Sequence, residues 1–319
     1  MSGLVKKSVI VGLAAGAAVG VVSLLVTIKS LQSISVANTP VVTTYTQPLT
    51  DAQRFARQPT TGPSVRVAVI GGMFFTGFWS ALADKYQKET GVYVDLIGTG
   101  PKNDIVRIFK QGSVDLITMH ASDTMVNLTA NGYTLDPQPW MRNDLVIVGP
   151  PDDPAGIKGM TDAQAALKKI ADAKSPFVVH SSLGAQEVLV NILDPAGIQL
   201  DAAHTTVLFD DQQRSVLRIA GEKHAYTLVG RIPFRTGRLP NYGLLMMVQG
   251  DDRLKRPYLV AVTNPQWLAG VHFAEAKHFA AYLRRPETQA WIAGYGKGML
   301  DDKPLFFPVV LPDLKPVGG

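Results

Sequence analysis

From Val65 onward, short apolar runs alternate with segments whose large apolar residues recur every three or four positions. The run Val65–Ile70 reads as a strand. In the following FTGFWSALADKYQKETG, Phe75, Phe78, Trp79, Leu82 and Tyr86 fall on one helical face, with Gly91 as a stop. Strand VYVDLI, loop Gly98–Pro101, helix KNDIVRIFKQG, strand VDLITM and loop His120–Ser122 come next. This βαβαβ order predicts a parallel sheet. Ligands on such sheets bind outside the carboxyl ends of the strands, so the loops Gly71–Met73, Gly98–Gly100 and His120–Ser122 converge on one edge. The double glycine Gly71-Gly72 is either a tight turn or a gap through which backbone N–H groups reach a ligand.

The pattern then repeats. NDLVIVGPPDDPAGI, Asn143 to Ile157, reads as a strand and a Pro/Gly-rich turn into a second lobe. Helix TDAQAALKKIADAKS follows, capped by Thr161 or Asp162. PFVVHSSLGAQEVLVNIL is a further strand–loop–helix, and HAYTLVGRIPF holds a strand ending near Arg231. RPYLVAVTNP, Arg256 to Pro265, returns the chain to the first lobe, where helices near 271–284 and 287–295 pack. Two α/β lobes joined by two crossing strands leave a cleft.

The N-terminus differs in kind. Ser8–Ile28 is 21 residues without a charge, preceded by Lys6 and Lys7. That length spans a bilayer core, and the flanking lysines place the rest of the chain outside the cytoplasm. A cleaved secretory signal is the alternative, and both readings give export. Residues 30–64 are rich in Thr, Gln, Pro and Ser and read as a linker. The absence of cysteine excludes disulfides, thiolate metal sites and a cysteine nucleophile. The net charge of +5, partly beside the apolar segment, is too small for a nucleic-acid footprint and suits a small anion. The six histidines show no metal-ligand spacing, and neither HExxH nor GxSxG occurs. These patterns point away from an enzyme, and from any metal or cofactor.

YQKETGVYVDLIGTG, GSVDLITMHA, NDLVIVGPPDDPAGIKG, AYTLVGR and PLFFP, in this order, resemble the tungstate-binding proteins of bacterial ABC transporters, over roughly Val65 to Pro308. The resemblance implies an α/β, two-lobed type II periplasmic binding protein fold, here with an N-terminal transmembrane or signal helix. Residues 1–29 are then anchor or signal, 65–145 with 257–310 the first lobe, and 146–256 the second. It implies a protein that closes on an oxyanion such as tungstate or molybdate and passes it to an ABC permease; with the apolar run, this gives a periplasmic protein held at the inner membrane by residues 8–28. The expected ligand set is Gly71, Gly72, Met73, Thr99, His120, His180, Ser181, Ser182 and Arg231.

The ligand loops depart from the family pattern. Val69, Ile70, Gly71 and Gly72 stand where the family has a hydroxyl-rich run, and His180 stands where a second-lobe arginine is expected. Losing two hydroxyl donors and an arginine weakens a dianion by at least about 4 kcal/mol, on the order of a thousandfold. Backbone N–H groups at Gly71 and Gly72 offset part of this, and a protonated His180 would make binding pH-dependent. Thr99 is either a ligand contact or turn geometry, and Arg231 faces either the anion or a carboxylate. Phe74, Phe75, Phe78 and Trp79 form either core or an aromatic wall for an apolar ligand. The alternative function is a membrane-anchored subunit of a respiratory or sensory complex, partnered by another inner-membrane protein, with a degenerate cleft.

Overall fold

The computed structural model describes residues 62–180, 184–209 and 213–309. These belong to one compact unit. The apolar run Ser8–Ile28, most of the linker, and Ser181 and Ser182 lie outside the described residues. Among those described, no helix is long and apolar enough to cross a membrane.

Strands β1 (Ser64–Ile70), β2 (Tyr93–Gly100) and β3 (Leu116–His120) are parallel, with β1 in the middle. The β1 residues Val65, Val67, Ala68 and Val69 are wholly buried, as expected of a parallel strand covered on both faces. The helical segment after β1 is two helices where the spacing predicts one. Helix α1 (Gly71–Phe75) ends at Thr76, whose Oγ1 donates to the carbonyls of Gly72 and Met73. Gly77, at φ 72°, then starts α2 (Phe78–Thr90), and Gly91, at φ 74°, stops it. That left-handed conformation is available to glycine without steric cost. α3 (Lys102–Lys110) links β2 to β3, and α4 (Asp123–Ala130) follows β3.

The strand expected at Asn143 begins earlier. β4 runs from Thr134 to Gly149 and contains Pro137 and Pro139, which argue against a strand in the sequence. Register shifts between Leu135 and Gln138 and between Pro139 and Met141 absorb both prolines. β4 pairs with β9 (Lys255–Thr263) up to Asp144, and with β7 (Tyr226–Gly230) from Leu145 onward. One strand therefore belongs to two sub-sheets, and the order along the main path is β2-β1-β3-β9-β4-β7, followed by β5 (Phe177–His180) and β6 (Thr205–Leu208), with two further strands paired to β4 off this path. Beyond β4, α5 (Ala163–Asp172) is capped by Asp162, whose carboxylate accepts from the Ala165 N–H at 2.9 Å. β5 (Phe177–His180), α6 (Gly184–Leu193), β6 (Thr205–Leu208) and α7 (Gln213–Glu222) complete the second sub-sheet, with β8 (Leu245–Val248) on β4.

The cores follow the pleat of β4. Leu145 and Ile147 join one apolar cluster with Phe177, Leu189 and Leu228, while Val146 and Val148 join another with Val178, Leu217 and Val229. The larger cluster belongs to the first sub-sheet and holds Phe78, Trp79, Trp140, Phe279 and Phe306. Helices α9 (Phe273–Leu283) and α10 (Pro286–Gly294) cover it, the latter with Pro286 in its first turn, where the missing N–H costs nothing.

Candidate functional site

The crossing strands carry a set of polar side chains that pairing brings together. On β3 and β9, His120 lies opposite Tyr258, and on β4 and β9, Asn143 lies opposite Arg256. Opposed residues share a face, and so do residues two apart, so all four side chains project from one face of adjacent strands. They border a cavity of about 200 Å³. Gly72, Phe75, Leu145, Ile232, Pro233 and Phe306 also line it, from both sub-sheets and from α8 (Arg231–Arg235).

Arg256 is the unusual member. Its Nε is shielded from solvent and has no hydrogen-bond partner, and no ion pair holds the guanidinium among the described residues. A cation in that position is destabilising unless something completes it. Asn143 also has an unpartnered buried atom, but it is the acceptor Oδ1; only its Nδ2 could donate to an anion. Arg256 also packs at the start of α6, because a Cβ on Gly184 would overlap Nη1. A helix N-terminus carries partial positive charge, so an unpaired guanidinium against it is repelled. Glu187, in the first turn of α6, compensates in part. An anion between Arg256 and the α6 N-terminus would satisfy both.

His120 is held neutral. Burial, and after it the charges of Arg256 and Lys102, push its imidazole well below the usual histidine range. Its ring packs against that of Tyr258, centroids 4.3 Å apart and planes tilted by 43°, and burial pushes the Tyr258 hydroxyl upward, so that phenol stays protonated too. Each therefore offers a single hydrogen donor. Protonating His120 would strengthen anion binding, and that happens only well below its ordinary value of 6.5. Affinity is accordingly expected to be the same at pH 6 and pH 8, and to rise only in more acid solution; titration calorimetry at both pH values checks this.

The expected ligand set divides. Gly72 and His120 line the cavity. A Cβ on Gly72 would lie 4.0 Å from the Tyr258 hydroxyl, so the glycine leaves α1 backbone bare toward the site. Gly71 is buried, and a Cβ there would press on the Phe75 ring at 2.9 Å; its role is packing. Met73 is fully buried in the first core, so its side chain does not reach the cavity. Thr99 does not line it either, although its Oγ1 is buried without a partner. His180 is buried beneath α6, beside Val178, Leu189 and Thr227 in a separate small cavity. Of the aromatic cluster, Phe78 and Trp79 are core, whereas Phe75 is wall.

Arg231 has another task. Its Nε donates to Asp144 at 2.7 and 2.9 Å, its Nη1 to Asp301 at 3.0 and 3.1 Å, and its Nη2 to the carbonyls of Pro304 and Leu305. With every nitrogen engaged and the residue 0% exposed, it ties β7 to β4 and to the segment before β10 (Phe307–Pro308). It is not a donor to the cavity.

The contact of Gly184 with Arg256 gives a local prediction. Gly184→Ala would push the guanidinium from its seat, because the flexible arginine end yields before the backbone does. Affinity for an anion is expected to fall about tenfold or more with little change in melting temperature, measured by calorimetry and a thermal melt.

Two crossing strands and a cavity between two sub-sheets, with the Arg256 Nε unpartnered in its wall, describe a periplasmic binding protein fold. The chain belongs to the bacterial extracellular solute-binding protein family, whose model matches residues 65–297. A Haloferax volcanii protein, provisionally named an ABC transporter anion-binding protein, is 31% identical over 255 residues, covering 77% of this chain and 72% of the relative. The tungstate-binding protein TupA of Peptoclostridium acidaminophilum is 27% identical over 248 residues, 77% of this chain and 85% of that protein. The solved structure of TupA from Desulfovibrio alaskensis G20 aligns with a TM-score of 0.62 at 28% identity, covering 78% of this chain and all of that one. The family is described by the binding of solutes and not by catalysis.

Proposed function

We propose that this chain is the extracytoplasmic receptor of an ABC transporter and captures a small anion in the cleft lined by Arg256. The unpaired guanidinium at the N-terminus of α6 carries this reading. Residues 65–145 with 257–310 act as one lobe and 146–256 as the other, closing by hinge motion at β4 and β9. Arg256, Asn143, His120 and Tyr258 supply side-chain donors, and Gly72 bare backbone. Ser181 and Ser182, which precede Gly184 in the sequence, complete the proposed ligand set. The run Ser8–Ile28 serves as membrane anchor or export signal, and the loaded protein delivers its anion to an inner-membrane permease. The relatives' names support an anion as cargo, tungstate in the case of TupA.

A thermal-shift panel of inorganic and organic anions tests this. A ligand that binds only the folded state at a hundred times its Kd adds about 2.7 kcal/mol, which at this chain length is a shift of several degrees. At least one anion is expected to raise the melting temperature of the protein and to leave Arg256→Gln unmoved. No shift with any anion would contradict the reading and favour a degenerate cleft.

A further inference from the structure

The distribution of polar and apolar groups around the cleft is one-sided. Among the described residues, the side-chain donors not engaged elsewhere (Arg256, Asn143, His120 and Tyr258) stand on β3, β4 and β9, and the Gly72 backbone and the start of α6 border the same end. The remaining wall is largely carbon, from Phe75, Leu145, Ile232, Pro233 and Phe306. The two hydroxyls in that wall are turned away: Thr76 Oγ1 donates to the Gly72 carbonyl at 3.0 Å, and Thr236 Oγ1 to the Ile232 carbonyl at 2.8 Å. Arg238, the other cation of the wall, lies over the Phe75 ring at 3.6 Å. A tetrahedral oxyanion accepts hydrogen bonds on every side. In this cleft its far oxygens would lose water and meet carbon, which costs binding free energy.

From this we infer that the cargo is a small amphipathic monocarboxylate. Its carboxylate pairs with Arg256 against the α6 N-terminus, and its apolar body lies on Phe75, Ile232 and Phe306. The inference rests on the anion-receptor reading above and narrows it. Size agrees: the cavity is about 200 Å³, and an apolar cavity of roughly 150 Å³ accommodates benzene. The head group matches its site as well. A planar guanidinium presents parallel N–H donors that suit a carboxylate bidentately, and the neutral amide, imidazole and phenol beside it add no further charge. The position filled by hydroxyls in the resembling family is glycine here, and Gly71 has no side chain to displace the Phe75 ring.

Titration calorimetry of the full chain with benzoate, 3-methylbutanoate, acetate, tungstate, molybdate and sulfate decides the matter. Benzoate or 3-methylbutanoate is expected to bind at least about tenfold tighter than acetate, because each buried methylene strengthens binding severalfold, and tighter than any of the inorganic ions. Arg256→Gln, shown folded by circular dichroism, is expected to abolish the heat of the preferred carboxylate. Equal affinity for acetate and benzoate, or tungstate, molybdate or sulfate binding tighter than every carboxylate, would overturn the inference and leave the anion-receptor function standing. Silence from all six overturns the inference, and the thermal-shift panel above then shows whether the receptor reading falls with it.

Discussion

Arg231→Met is expected to lower the stability of the protein by about 3–5 kcal/mol, the usual cost of leaving a buried charge without its partner. Asp144 has a side-chain exposure of 1% and Asp301 of 10%, so neither carboxylate regains water when the guanidinium is removed. At this chain length that loss lowers the melting temperature by on the order of 10 °C. Asp144→Asn in the same chain should recover part of it, because the stranded charge is then absent. A melt unchanged by Arg231→Met, with anion affinity lost instead, would return Arg231 to the cleft. The bond pattern predicts the reverse: unfolding comes first, and any affinity change follows from it.

Arg256→Gln should behave in the opposite way. Among the described residues no hydrogen bond or ion pair holds the arginine and Glu187 offsets its charge only in part, so its removal should leave thermal stability unchanged or raise it, by relieving repulsion with the α6 N-terminus. Anion affinity is expected to fall about a hundredfold, corresponding to roughly 3 kcal/mol for a charge-assisted bidentate contact. Melting curves with and without ligand measure both effects on one sample. The contrast between the two arginines is the useful result. One is buried and satisfied, and holds the fold; the other is partly buried with its Nε unpartnered, and is the proposed anion donor.

Much of the architecture was legible in the chain because it depends on local pattern. The apolar run of β1, the three- and four-residue spacing in α2 with its stop at Gly91, and the alternation of strands and helices all survive in the structure. The errors have local causes too. Gly77 breaks a helix that spacing alone continues, and Pro137 and Pro139 hide the first half of β4, since a register shift that tolerates proline depends on the partner strand.

The site was less legible because cross-strand pairing is not local. Gly72 and His120 follow strand ends, where a parallel sheet places ligands, and both line the cavity. Arg256 and Tyr258 sit within β9, and Asn143 within β4. Read alone, Arg256 in LKRPYLVAV looks like an ordinary polar start to an apolar strand. The available signal was the two-residue spacing of Arg256 and Tyr258 on a crossing strand, which puts both on one face. Arg231 was left open between the anion and a carboxylate for a related reason. Its partners Asp144 and Asp301 lie 87 and 70 residues away, and nothing near it in sequence shows that its donors are taken.

A crystal structure of the protein with its anion bound tests the location of the site most directly. An anion oxygen is predicted within about 3 Å of the Arg256 guanidinium, beside Gly184 at the start of α6. An anion held elsewhere, with Arg256 turned onto Glu187, would contradict it.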